Sequence, residues 1–257
     1  MSQTIGFVGS GEIGSTLARL SVAAGHNVVM SNSRGPETLT GLVAELGEHA
    51  RAATAAEAAQ AGDLVVISVP FHLYDRLDPQ ALAGKIVIDT MNYYPHRDNR
   101  VDALDRGELT SSELIQRHLH RSTLVKALHN LDYVRLFTAA RPAGSPERSA
   151  LPVSGDDPTA KTDVIRYMDA IGYDALDVGT LADSWRQEPG SPSYVKPYVA
   201  GYPEHASTDE TRRWFREAPA TPVSTGRLKE LIDAAERGPV GGIAVPGYVN
   251  GLRTDQP

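Results

Sequence analysis

Short apolar runs closed by glycine, proline or a polar group recur along the first half of this chain. Between them, apolar residues fall at helical spacing. Residues 4–8 (TIGFV) end at Gly9 and read as a buried parallel strand. Ile13, Leu17, Leu20 and Val22 mark one face of a helix over 13–24, with Gly25 as its stop. Residues 27–31 form a second strand. Pro36 suits a first helical position, opening a helix that runs to about Leu46. Thr54 and Glu57 have capping-box spacing and start a helix ending near Gly62. Residues 64–69 (LVVISV), closed by Pro70, and 86–89 (IVID) are further buried strands. Ser111 or Ser112 caps a helix to about His120, and 124–127 is another strand.

Strands alternating with helices predict an α/β fold, a Rossmann-type doubly wound parallel sheet. The segment 141–148 (RPAGSPER) reads as a surface loop. After it come a strand at 151–154, a helix at 158–171 and a strand at 174–178. This βαβ unit either extends the sheet or pairs up as a small second domain. Residues 186–223 are Pro-rich and irregular, 225–237 form an amphipathic helix, and the last twenty residues are glycine-rich, an arm or a partly disordered end.

The 257 residues are 41% hydrophobic and 22% charged, enough for a folded core. A net charge of −7 weighs against nucleic-acid and anionic-membrane partners. The absence of cysteine excludes disulfides, thiolate catalysis and Cys-based metal sites. The early first strand leaves no room for a signal peptide, and no apolar stretch approaches a membrane span. A soluble, cytoplasmic protein is expected.

Gly9, Ser10, Gly11, Glu12, Ile13 and Gly14 spell G-x-G-x-x-G. The motif gains weight from its place after a strand and at the start of a helix. Gly9 permits the tight turn, Gly11 lets the backbone approach a pyrophosphate, and Gly14 lets the helix pack against the strand. The helix N-terminus offers N–H groups to the anion. The competing reading is a tight turn with no ligand. Seventeen to twenty residues beyond Gly14 stand Ser31, Asn32, Ser33 and Arg34. An acidic residue there would hold the ribose of NAD. Hydroxyls, an amide and a guanidinium suit a 2′-phosphate instead, so the expected cofactor is NADP(H). A polar loop with a solvated arginine is the alternative.

Ligands of this fold sit at the carboxyl ends of the strands. Those ends carry Ser68-Val69-Pro70, the DTMNYYP run at 89–95, and Lys126-Ala127-Leu128-His129-Asn130. Candidate acid–base groups are His129, Lys126, Tyr93, Tyr94 and His96. His129 is either a proton donor at neutral pH or a loop histidine bonded to backbone. Lys126 reads rather as a strand-end salt-bridge partner, and His72, His118 and His120 as structural or solvated. No His and carboxylate set has metal-ligand spacing, so no metal is expected.

The run GFVGSGEIGSTLARLSVAAGHNVVMSNSRGPETL resembles the N-terminus of the NADPH-dependent F420 reductases. DTMNYYP, SSELIQRHL, LVKALHN, LPVSGDDPTAK and DVGTLADSW are similar to runs in bacterial members, so the resemblance covers roughly residues 4–195. It implies an NADP-binding domain over 1–130, a small C-terminal α/β domain with an extended tail over 131–257, and a homodimer. It implies hydride transfer between NADPH and a small-molecule acceptor, the deazaflavin coenzyme F420, which needs mainly two stacked rings and exclusion of water. Gly9, Gly11, Gly14, Ser33 and Arg34, with Ser31 and Asn32, would carry NADP. Val69, Pro70, Asn92 and Asn130 would border the nicotinamide, and Tyr93 and His129 complete the candidate catalytic set. Three features depart from the pattern: His129 where relatives have Asn, the long tail, and Trp185 with Arg186. The architecture also resembles pyrroline-carboxylate and imine reductases, so an NADPH-dependent imine, carbonyl or flavin reductase is an alternative. A non-catalytic NADPH-sensing module is another.

Overall fold

The computed structural model describes residues 2–201 and 207–241. Most apolar runs become strands of one sheet: β1 (Thr4–Val8), β2 (Asn27–Ser31), β3 (Ala50–Ala52), β4 (Leu64–Ile67), β5 (Ile86–Asp89), β6 (Thr123–Lys126), β7 (Ala150–Gly155) and β8 (Asp174–Gly179). Their order is β3-β2-β1-β4-β5-β6-β7-β8. The first six are parallel and doubly wound, with the chain reversing direction across the sheet between β1 and β4. β7 joins β6 antiparallel and β8 joins β7 parallel, so the βαβ tail extends the same sheet.

The helices are α1 (Glu12–Ala23), α2 (Thr40–Leu46), α3 (Ala55–Ala61), α4 (Pro95–Asp98), α5 (Asp102–Asp105), α6 (Ser111–His118), α7 (Tyr133–Thr138), α8 (Pro158–Ala170), α9 (Thr208–Glu217) and α10 (Thr225–Asp233). They cover both faces of the sheet, which explains why the central strands are largely apolar and β4 wholly so. In β4, Leu64 and Val66 join a core with α1 and α8, whereas Val65 and Ile67 join the core under α6. All four are at most 1% exposed.

Four expectations are refined. Pro36 starts a short 3-10 turn, Pro36–Leu39, and the α-helix begins only at Thr40. The cap of α6 is Thr110, whose hydroxyl accepts from Glu113 N–H at 3.1 Å. Ser111 and Ser112 point elsewhere, to Glu188 and Asp89. Within 186–223 lies α9, whose charged sequence hides it from any apolar count. Its signal is the capping box of Ser207 and Glu210. Helix α10 ends at Asp233, four residues early. The expected arm over the last twenty residues lies almost wholly outside the described residues.

Candidate functional site

The carboxyl ends of β1, β4, β5 and β6 share one edge of the sheet, and the two candidate groups lie along it. At the β1 end, Gly9 has φ +113°, and a Cβ there would meet the Ser68 carbonyl oxygen at 2.1 Å. A Cβ on Gly14 would meet the Gly9 carbonyl oxygen at 2.2 Å. These two glycines let β1, β4 and α1 approach one another. Gly11 differs: a Cβ there would have nothing within 4 Å. Its smallness serves no internal packing. It is also the N-cap of α1 and provides no side-chain cap, so the first N–H groups of the helix have no side-chain partner at that position, although Glu12 stands in the first turn. Such a helix start fits a pyrophosphate.

The loop after β2 divides its roles. The Ser31 hydroxyl is fully buried and donates to the Phe7 carbonyl at 2.6 Å. It joins β2 to β1 and is not a free donor for a ligand, which corrects its expected role. Asn32 shapes the loop: its Oδ1 accepts from Arg34 N–H at 2.9 Å and its Nδ2 donates to Thr38 Oγ1 at 2.9 Å. Ser33 and Arg34 are exposed at the tip. Among the described residues, no carboxylate lies within 4.0 Å of the Arg34 guanidinium. A guanidinium exposed in the loop after β2 fits a phosphate. Val69 is half-buried and Pro70 exposed, on the turn that follows β4.

The β5 and β6 ends are built from buried side chains. Asp89 and Lys126 are both fully buried and pair at 3.2 Å. Asp89 Oδ2 also accepts from Ser112 Oγ at 2.7 Å and Oδ1 from Met91 N–H at 2.8 Å, while Lys126 Nζ also donates to the Met91 carbonyl. Lys126 is thus the strand-end ion pair its position suggests. Leu128, fully buried, takes φ +59°, strained for a residue with a Cβ. That turn delivers His129 and Asn130 side by side.

Both residues reach the 181–195 segment. His129 Nε2 donates to the Gln187 carbonyl at 2.9 Å. Asn130 Nδ2 donates to the carbonyls of Gln187 and Ser193, each at 3.2 Å, and the Asn130 carbonyl accepts from Val195 N–H at 3.0 Å. Burial, reinforced by the Lys126 charge, holds the His129 pKa well below 6.5. The imidazole is neutral at pH 7 and its one N–H is committed, so His129 is not the proton donor considered from sequence. Tyr93 is not available either. It is 3% exposed, donates to Asp105 at 3.0 Å and accepts from Val101 N–H at 2.9 Å. Burial raises its pKa.

Asn92 Nδ2 donates to the His129 carbonyl at 3.1 Å. Because the amide nitrogens of Asn92 and Asn130 both face carbonyls, their Oδ1 atoms are fixed as acceptors, and both are buried without a partner. Orphaned acceptors at this end fit a ligand rich in N–H groups, such as a carboxamide. Sequence reasoning missed Gln187 and Ser193, which face this cluster from about sixty residues away. It also missed Tyr194, whose hydroxyl meets that of Tyr94. Nothing in their local pattern announces them. Among the described residues, no group of three or more His, Cys, Asp or Glu converges as a metal site, and no helix is long and apolar enough to cross a membrane.

An open glycine turn at the switch point of a 3-2-1-4-5-6 sheet, with a basic loop after β2, defines a Rossmann-type nucleotide-binding fold of the oxidoreductase kind. Residues 4–93 match the family model described as NADP oxidoreductase coenzyme F420-dependent. Protein SMa0349 of Sinorhizobium meliloti aligns with a TM-score of 0.65 and 29% identity, over 76% of this chain and 93% of that one. A candidate F420-dependent NADP-reductase of Arthrobacter sp. FB24 aligns with a TM-score of 0.60 and 25% identity, over 71% and 87%. The rat metalloreductase STEAP3 is 29% identical over 182 residues, 70% of this chain; the chain spans about a third (34%) of that relative's length.

Proposed function

We propose that this chain is an NADP(H)-dependent oxidoreductase that passes hydride between NADPH and a deazaflavin of the coenzyme F420 type. NADPH, when bound, supplies the hydride. The chain's own part is to hold the pyrophosphate at Gly11 and the α1 N-terminus, and the 2′-phosphate at Ser33 and Arg34. Asn92 and Asn130 orient the reacting end, and the 181–195 segment excludes water. The carrying observation is that His129, Lys126 and Tyr93 are all buried and each donates to a partner inside the protein. Such an edge suits ring-to-ring hydride transfer better than reduction of a C=N or C=O bond, which needs a proton delivered in step.

One feature favours a second reading. Burial raises the Tyr94 pKa, so its hydroxyl stays protonated, and it contacts the Tyr194 hydroxyl. That pair would suit proton delivery to an imine or carbonyl. Loss of reduced-nicotinamide absorbance, followed with and without oxidised F420, separates the two. F420-dependent consumption supports the deazaflavin reading. NADPH binding without F420 reduction, joined to turnover of a cyclic imine or a ketone, overturns it in favour of the second. Binding with no turnover of any acceptor leaves the NADPH-sensing module. A homodimer belongs to the same proposal, and sedimentation equilibrium tests it.

A further inference from the structure

The 3-10 turn Leu181–Gln187 presents a face that none of the contacts above uses. Trp185 and Arg186 are half-buried there. The Arg186 guanidinium carbon lies 4.4 Å from the Trp185 ring centroid, and that of Arg237 lies 5.9 Å from the same ring. Arg237, from the exposed segment after α10, donates Nη2 to the Leu109 carbonyl at 3.3 Å. Among the described residues, neither guanidinium has a carboxylate within 4.0 Å. Asp183 is within electrostatic reach of Arg186. Its Oδ2, however, is held by the Thr180 N–H and hydroxyl at 2.9 and 2.7 Å. Two guanidiniums with no carboxylate partner among the described residues thus share one indole, in a chain whose net charge is −7. Such a cluster suits an anion: the planar forks of arginine can bind one in bidentate fashion, while the indole offers a stacking face.

The cluster is also next to the chemistry. Gln187, which follows Arg186, receives the bonds from His129 and Asn130. Consecutive Cα atoms lie ~3.8 Å apart, so Arg186 is one residue along the chain from the carbonyl that His129 and Asn130 reach. We propose that Trp185, Arg186 and Arg237 anchor the anionic arm of the hydride acceptor, a phosphate or carboxylate carried at some remove from the reacting ring. This rests on the hydride-transfer reading above. It assigns selectivity to the three residues and no part in NADP binding.

The test is a fluorescence titration of the full chain carrying Trp214→Phe, which leaves Trp185 as the single tryptophan of the two. The probes are FMN against riboflavin, and F420 against neutral 5-deazariboflavin, each at saturating NADP⁺. The arm-bearing member of each pair is expected to bind about tenfold more tightly at low salt, with the advantage shrinking as salt rises. FMN isolates the phosphate. A preference confined to F420 assigns the site to its carboxylates. Arg186→Gln and Arg237→Gln should each reduce the advantage and together abolish it, with NADP⁺ affinity unchanged. Equal binding within both pairs, or a preference that survives the double variant, overturns the proposal. The two readings fail separately. F420 turnover without an arginine-dependent preference removes the anchor alone, and an arginine-dependent preference without F420 turnover removes the F420 assignment while the anion anchor stands.

Discussion

At the glycine turn, Gly11 has nothing within 4 Å of where a side chain would start, and Arg34 stands exposed at the tip of the next loop. At the β6 end, His129 and Asn130 are 2% and 0% exposed, and both are bonded to the carbonyl of Gln187. The first region is backbone geometry left open for a ligand. The second is a set of side chains closed over by a distant segment. A polar residue at a strand end is therefore not a functional group by position alone; what its hydrogens are already bonded to decides what remains for chemistry.

The comparison breaks most easily at the closed end. Lys126→Met leaves Asp89 buried without its counter-charge, and the loss of stability in urea unfolding should be about 3–5 kcal/mol. A loss under about 1 kcal/mol would mean that Ser112 and Met91 suffice to hold the carboxylate. At the open end, Gly14→Ala forces a contact of 2.2 Å with the Gly9 carbonyl oxygen and should cost about 1–3 kcal/mol. Gly11→Ala meets no protein atom, so it should leave the melting temperature nearly unchanged while weakening NADPH binding. Equal stability losses in the two alanine variants would refute the division of roles between these glycines.

Arg34→Ala should weaken NADPH by about 1.5–3 kcal/mol in a binding titration and hardly affect NADH. A parallel loss for both cofactors removes the 2′-phosphate assignment. The smallest effect belongs to His129. Its folded pKa lies below its ordinary 6.5. As pH falls below that value the unfolded chain takes up a proton that the folded chain refuses, so stability declines on acidification. His129→Asn should flatten this decline and leave hydride transfer within a few-fold of the parent chain. His26, whose pKa burial also lowers, keeps part of the slope. A large loss of turnover would instead make His129 part of the chemistry.

Much of the fold was legible because its signals are local. The runs at 4–8, 27–31 and 86–89 match β1, β2 and β5 residue for residue, since strands buried on both faces read as short, largely apolar runs. The capping box at Thr54 and Glu57 is four residues long and forms as read. Helix α9 was missed because Trp214 and Phe215 are its only large apolar residues, and β3 because three residues are too few for a pattern.

The glycine turn, the missing acidic residue after β2 and the alternation of strands with helices can be read without coordinates, because each depends on neighbours along the chain. The folded chain was needed to see that Ser31 serves the strand, that Tyr93 bonds Asp105, and that His129 is sealed and neutral. It alone placed Gln187 on His129 and gathered Arg186 and Arg237 around Trp185. Hydrogen-bond commitment and desolvation are set by residues tens of positions away, and no local pattern carries them.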